Sequence, residues 1–301
     1  MTIALPKWLE AVLLGLIQGL TEFLPVSSSG HLTIAPYLFS FEQPTLAFGV
    51  LLHIATLLAV VGYFRADLWF LAKGLVGASS LTEADHTRAR TTIMLLGVGS
   101  VPAAAAGLLL GDLIGDLFEN ALVAAGFLLV TAALLWFAER LRRSRATAVH
   151  GKEAVDKDPT LDVGRDERTV SVPDALIIGV AQAFTIFPGI SRAGATMATG
   201  MVRGLTRTAA ARFSFLLSIP VIAGAGFLEL SALEAGSFGG FSTVDVALAS
   251  VAAAVSGYWA IRFLLKLVAA DDLTGFSRYL VVVGLLTLSG YFWLGPPSAV
   301  G

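Results

Sequence analysis

Two stretches of this chain, residues 46–64 and 121–138, run without a single Asp, Glu, Lys or Arg. Each approaches the roughly 20 apolar residues needed to cross about 30 Å of hydrocarbon. They are typical of the whole: 56% of residues are hydrophobic and 14% charged, against about 25% charged in a soluble domain, and mean hydropathy is +0.79. A water-soluble fold of 301 residues could not hide that much apolar surface, so the bilayer is the solvent. The net charge of −2 leaves no basic surplus for nucleic acid. The absence of cysteine excludes a disulfide framework and thiolate–metal sites. Lys7 is the only cation before Glu22, so the start does not read as a cleaved leader.

Polar breaks between the apolar runs differ in sign, and that difference sets orientation. Arg65, Lys73, Arg88 and Arg90 fall in one break; Arg140, Arg142, Arg143, Arg145, Lys152, Lys157, Arg165 and Arg168 fall in another. Both are expected on the cytoplasmic side. Asp112, Asp116 and Glu119, and later Glu229, Glu234 and Asp245, sit in breaks without a cation and are expected outside. Alternation gives six full spans, near residues 45–64, 92–111, 120–139, 210–229, 245–266 and 278–296. Residues 8–41 and 174–209 are left over. Each must enter the membrane and return on its own side, so the expected fold is an all-α polytopic membrane protein with six crossings and two re-entrant helical hairpins. Residues 144–169, polar and mixed in charge, are expected to form a flexible cytoplasmic linker.

The two leftover segments are related. At an offset of 164, Gly15, Gln18, Thr21, Phe23, Ser27 and Gly30 align with Gly179, Gln182, Thr185, Phe187, Ser191 and Gly194. One copy enters from outside and the other from inside, so the repeat is inverted, with halves of about 8–139 and 174–296. Inverted repeats with interrupted helices place their binding site near the bilayer midplane.

The first copy reads Gln18-Gly-Leu-Thr-Glu22-Phe-Leu-Pro25-Val-Ser27-Ser28-Ser29-Gly30-His31. Gln18 and Glu22 share a helix face, and a carboxylate at membrane depth is functional by default. Pro25 ends the helix, after which Ser27, Ser28, Ser29 and Gly30 offer hydroxyls and N–H groups as an anion site at a helix N-terminus. A serine N-cap without ligand is the plain alternative. His31 adds a titratable imidazole that can act as acid or base, whereas His53, in a plain apolar span, reads as a core histidine. The second copy continues Pro188-Gly-Ile-Ser191-Arg192-Ala-Gly194-Ala-Thr196, with Arg192 the only cation between Asp174 and Arg203. A guanidinium there needs an anionic partner and suits phosphate oxygens; a salt bridge to Glu22 without substrate is the structural alternative. Two hydroxyl-rich loops, an arginine, a histidine and a carboxylate suit a phosphate or diphosphate at a lipid headgroup. A diphosphate is too anionic for one arginine, so a divalent cation, Mg2+ or Ca2+, shared by Glu22 and the phosphates is expected.

These residues resemble the undecaprenyl-diphosphate phosphatases associated with bacitracin resistance. The similarity lies in Gln18-x-x-x-Glu22 running into Pro25-Val-Ser-Ser-Ser-Gly-His31, in Pro188-Gly-Ile-Ser-Arg192-Ala-Gly-Ala-Thr196, and in Arg212-Phe-Ser-Phe-Leu-Leu-Ser-Ile-Pro220. The resemblance implies hydrolysis of undecaprenyl diphosphate to the monophosphate on the outer side of the bacterial cytoplasmic membrane, recycling the carrier for peptidoglycan synthesis. By motif position it places the family's carboxylate on Glu22, its serine nucleophile on Ser28, its histidine on His31 and its arginine on Arg192. The family's first position is Glu or Gln. Here it is Gln18, which leaves Glu22 and Gln18 as the metal ligands. Where the family usually has Ser-Arg-Ser-Gly, this chain has Ala193.

The expected mechanism has Arg192, the Ser27 and Ser191 loops, Ser29, Gly30, Gly194, Thr196 and a Glu22-bound ion holding the diphosphate. Ser28 or a water attacks the terminal phosphorus, and His31 moves the proton. An acid-phosphatase motif would want a second histidine at Ala198. A transporter or flippase of the carrier, using the same anion site, is the rival reading. The expected partners are the polyprenyl diphosphate and membrane lipids, with a second copy of the chain as a candidate.

Overall fold

The computed structural model describes residues 5–114, 117–118, 120–158, 161–232 and 238–294. Asp116, Glu119, Glu234 and the last two residues of the 278–296 span lie outside that set. Twelve helices are described: α1 (Lys7–Phe23), α2 (Ser28–Phe39), α3 (Leu46–Tyr63), α4 (Arg65–Leu75), α5 (Glu83–Ile114), α6 (Ala121–His150), α7 (Lys152–Lys157), α8 (Val172–Ala183), α9 (Arg192–Val202), α10 (Arg207–Ala232), α11 (Thr243–Ala270) and α12 (Thr274–Leu294). Among the described residues, six helices are long and apolar enough to cross a membrane: α3, α5, α6, α10, α11 and α12. They coincide with the six expected spans. Their lipid-facing surfaces leave large apolar side chains uncovered, among them Leu109, Phe227, Phe292 and Trp293, as a protein solvated by hydrocarbon should.

The two leftover segments form broken hairpins, α1 with α2 and α8 with α9. Each turns at a proline, Pro25 or Pro188, which cannot continue a helix. Three crossing helices, α3, α5 and α6, separate the hairpins. With each hairpin returning on its own side, an odd number of crossings puts their openings on opposite faces. The repeated glycines have a packing cause. A Cβ on Gly15 would strike the Ala249 carbonyl of α11, and a Cβ on its repeat mate Gly179 would strike the Gly99 carbonyl of α5. Each hairpin's first helix thus lies backbone to backbone on a crossing helix. The tips meet in the middle, where Gly30 of the first packs against Gly189 of the second.

The charged stretch after α6 departs from expectation. α6 runs on to His150, α7 follows, and Arg165 pairs backbone to backbone with Gly204 and Thr206 at 2.8 and 3.0 Å. The expected flexible linker is therefore corrected over its described residues, 144–158 and 161–169, which are folded onto the bundle. Its charges are pairing partners: Arg165 and Arg203 hold the buried Asp174 at 2.8 Å each, and Glu167 meets Arg212 at 3.1 Å. Polar composition signalled disorder because ionic docking leaves no hydropathy pattern. α4, amphipathic and packed on α5, was also unforeseen.

Below the hairpin tips, Glu139 of α6 binds Arg142 and Arg207, each at 2.9 Å, and accepts the Leu273 amide at 3.0 Å. Both arginines are almost fully buried. One carboxylate thereby ties α6, α10 and the turn between α11 and α12 together.

Candidate functional site

α1 delivers Gln18 and Glu22 on one face, one turn apart. Its helix ends at Phe23 because Leu24 is extended and Pro25 follows. The chain then passes through Ser27 at φ 71, a left-handed conformation that a non-glycine residue rarely adopts. That turn lets the Ser27 hydroxyl cap α2 by accepting the Gly30 amide at 3.3 Å and aims Ser28 back at α1. In the second copy, Gly189 at φ 96 makes the turn and Ser191 caps α9 through the Gly194 amide at 3.0 Å. Thr131 of α6 fixes this second tip, donating to the Gly189 carbonyl and accepting the Ser191 amide, both at 3.0 Å.

Glu22 is the hub. Its side chain is 4% exposed. One oxygen accepts from the Arg192 guanidinium, and the other accepts from the Ser28 hydroxyl and, at 3.0 Å, from the Gln18 amide. The structural alternative for Arg192, a salt bridge to Glu22, is thus present, and it proves that the two hairpins meet. The remaining Gln18 oxygen is buried with no hydrogen-bond partner among the described residues.

Sequence reasoning assigned the wrong surroundings to His53. Its Nε2 lies 3.9 Å from Glu22, its side chain is 40% exposed, and its Nδ1 is tied to the Gly49 carbonyl at 2.9 Å. It therefore stands at the site and not in the core. No local signal could have found it, since α3 is apolar on either side. His31, by contrast, is engaged away from Glu22: Nδ1 meets the Ser27 carbonyl and Nε2 meets the Tyr279 hydroxyl of α12, each at 2.8 Å. Tyr279 and Thr131 had no sequence signature either.

The remaining expected ligands divide by position. Ser29 lies between the tips, 3.2 Å from the Ser27 hydroxyl and accepting the Gly189 amide at 3.4 Å. The Gly30 and Gly194 amides are occupied by their caps. Thr196 is turned into the bundle, donating to the Arg192 carbonyl at 2.7 Å and contacting Ser214 of α10. The amides of Ser28, Ser29, Arg192 and Ala193 open the first turns of α2 and α9 and lack intrahelical acceptors by helix geometry. Two helix N-termini, a guanidinium and a serine hydroxyl already donating to a carboxylate can bind an anion and transfer a proton.

Six crossing helices with two broken hairpins, meeting at a buried carboxylate–arginine pair flanked by serine hydroxyls, define an integral membrane protein with a central polar cluster. Which membrane protein follows from comparison with known sequences. The family model described as bacitracin resistance protein BacA matches residues 11–286, and the chain belongs to that family. Similar proteins include the undecaprenyl-diphosphatase of Desulfosudis oleivorans, 41% identical over 297 residues, 95% of this chain and 98% of the relative. That of Thioalkalivibrio sulfidiphilus is 38% identical over 284 residues, 94% of this chain and 98% of the relative. That of Methanosphaera stadtmanae is 36% identical over 290 residues, 93% of this chain and 96% of the relative.

Proposed function

We infer that the chain is an undecaprenyl-diphosphatase, hydrolysing the terminal phosphate from undecaprenyl diphosphate and giving bacitracin resistance by recycling the carrier for peptidoglycan synthesis. The observation that carries this reading is the hub at Glu22, where both hairpins supply groups to one carboxylate. The arginine-rich ends of α6 and of the segment after it argue for a cytoplasmic position by charge bias. The site then opens to the outer side of the bacterial cytoplasmic membrane, next to the loop ends of α3 and α10.

In the free protein Glu22 neutralises Arg192. An arriving diphosphate competes for the guanidinium and for the free amides of α2 and α9, which suit its oxygens. The nucleophile is the Ser28 hydroxyl or a water in its place. As its oxygen bonds to the terminal phosphorus, the bridging P–O bond breaks and the lipid monophosphate leaves. The proton passes to Glu22, which the Ser28 hydroxyl already faces. With serine as nucleophile, water then cleaves the phosphoserine and releases inorganic phosphate. This gives Glu22, in place of His31, the proton-accepting role, and leaves His31 to shape the turn through Ser27.

The donor set also suits a divalent cation: Gln18 has a buried oxygen without a partner among the described residues, next to the Glu22 carboxylate that its amide nitrogen meets. Those two oxygens would hold Mg2+ or Ca2+, which when bound would offset the charge that a diphosphate adds next to Glu22.

The test is inorganic phosphate release from undecaprenyl diphosphate by the purified protein in detergent. Release that is abolished by Glu22→Gln is the expected result. A protein that binds the lipid and releases no phosphate would instead be a carrier built on the same site. Trapping a phosphoenzyme, with loss of turnover in Ser28→Ala, would assign the nucleophile to serine.

A further inference from the structure

α11 and α12 are joined by a tight turn at residues 271–273, yet they pack on different partners, α11 on α1 and α12 on α6. They diverge from the turn and leave a cleft of about 990 Å³ between the two pairs. Its apex is the tip of the first hairpin, at Thr21, Leu24 and Val26. Its upper walls are apolar, with Leu20, Trp136 and Phe263 among them, and its base carries Arg140, Arg143 and Arg278. The site at Glu22 lies beyond the apex.

Of the three acids in this cleft, one is ion-paired. Glu139 is consumed by Arg142, Arg207 and the Leu273 amide. Asp271 and Asp272 accept the turn amides of Asp272 and Thr274 at 2.7 and 2.9 Å and keep their charge, with no ion pair among the described residues. The cations are also only partly paired. Arg143 pairs with Asp156 at 2.6 Å, but Arg140 and Arg278 make no ion pair among the described residues, and the Arg140 guanidinium lies over the Trp136 ring, 5.1 Å from its centroid. Two guanidiniums without an ion pair among the described residues, beneath an apolar cleft and beside a tryptophan of the kind that marks the headgroup level, are groups that can hold a lipid phosphate.

We propose that this cleft binds an anionic phospholipid, its phosphate held by Arg140 and Arg278 and its acyl chains against Leu20, Leu24 and Phe263. On the orientation proposed above the base faces the cytoplasmic leaflet, where anionic phospholipid is plentiful and the carrier lipid would be a minor competitor.

Native mass spectrometry of the detergent-purified protein, titrated separately with phosphatidylglycerol, phosphatidylcholine and a polyprenyl monophosphate, tests this. Phosphatidylglycerol should be retained in preference to phosphatidylcholine. The double variant Arg140→Gln/Arg278→Gln should weaken that retention by roughly tenfold or more. Both arginines are exposed, so the fold does not depend on them. Leu267→Trp, which fills the cleft with both arginines intact, should also lose the lipid, while Arg65→Gln, outside the cleft, should keep it. Equal retention of phosphatidylcholine, or unchanged retention in the double variant, would overturn the proposal. So would displacement of phosphatidylglycerol by the polyprenyl monophosphate at equal concentration, which would assign the cleft to the carrier.

Discussion

The Tyr279 hydroxyl lies 2.8 Å from Nε2 of His31, with the two rings 4° from parallel and their centroids 5.7 Å apart. The other ring nitrogen faces the Ser27 carbonyl, which can only accept. Nδ1 therefore carries the proton, and Nε2 accepts from the phenol. The Ser27 carbonyl thus sets the tautomer, a residue of the last helix supplies the donor to the other ring nitrogen, and the histidine in turn holds the left-handed turn at Ser27 that aims Ser28.

Tyr279→Phe keeps the ring stack and removes the hydroxyl alone. Losing one hydrogen bond of about 1 kcal/mol should lower kcat about fivefold with little change in KM, since the effect falls on the placement of Ser28 and not on binding. Phosphate-release kinetics give both constants. An unchanged kcat would mean that the Ser27 turn holds without the tyrosine.

The buried pair of Glu22 and Arg192 should behave asymmetrically. Glu22→Gln leaves a largely buried guanidinium without its counter-charge, which costs about 3 kcal/mol of stability and about a thousandfold or more in turnover. The double variant Glu22→Gln/Arg192→Gln should recover at least half of the lost stability and none of the activity. Thermal unfolding in detergent, run as a double-mutant cycle, separates the two effects. Equal destabilisation of the single and double variants would show that the unpaired guanidinium carries none of the cost.

The crossings were legible because a bilayer imposes length and hydropathy on each span, and the hairpins were legible because they broke the alternation of charge. Glu22, Ser28 and Arg192 announced themselves as polar groups in apolar surroundings, and the structure brings all three together. His53 and Tyr279 could not be read. A histidine in an apolar helix and a tyrosine near a helix start look the same whether they meet lipid, core or site, and only the packing of α3 and α12 decides. Thr196 illustrates the converse: a hydroxyl in the right motif was expected at the phosphate, but helix periodicity turns it toward Ser214. The folded segment after α6 escaped notice because its partners lie in α8, α10 and the turn before α10.

Glu139 should be among the positions least tolerant of substitution outside the site. Glu139→Gln removes the carboxylate charge that Arg142 and Arg207 share, and their side chains are 4% and 1% exposed. Breaking a buried ion pair by removing one partner costs about 3–5 kcal/mol, and Asp162, 3.9 Å from Arg142, offsets only part of that. The expected outcome is a strongly lowered unfolding temperature in detergent and poor accumulation in membranes. A variant as stable as the parent would imply that water reaches this cluster.

At the opposite end of the bundle, Glu42 closes the mouth of the first hairpin. It pairs with Lys7 of α1 and accepts the Gly240 amide before α11. The Lys7 hydrogen bond outweighs the opposing effect of burial and, with help from the Gly240 amide, holds the Glu42 carboxyl below its ordinary value of 4.5. The unfolded chain then takes up this proton at a higher pH than the folded one. The contribution is fully present above about pH 4.5 and is lost as pH falls through the lowered folded value. Glu42→Gln should therefore flatten the acid limb of the unfolding temperature between about pH 6 and pH 3 and leave the neutral limb parallel to the parent. The pair is partly exposed, so its effect should shrink in high salt. An acid limb of the same slope in parent and variant would place the acid sensitivity at other carboxylates and leave Glu42 without a part in it.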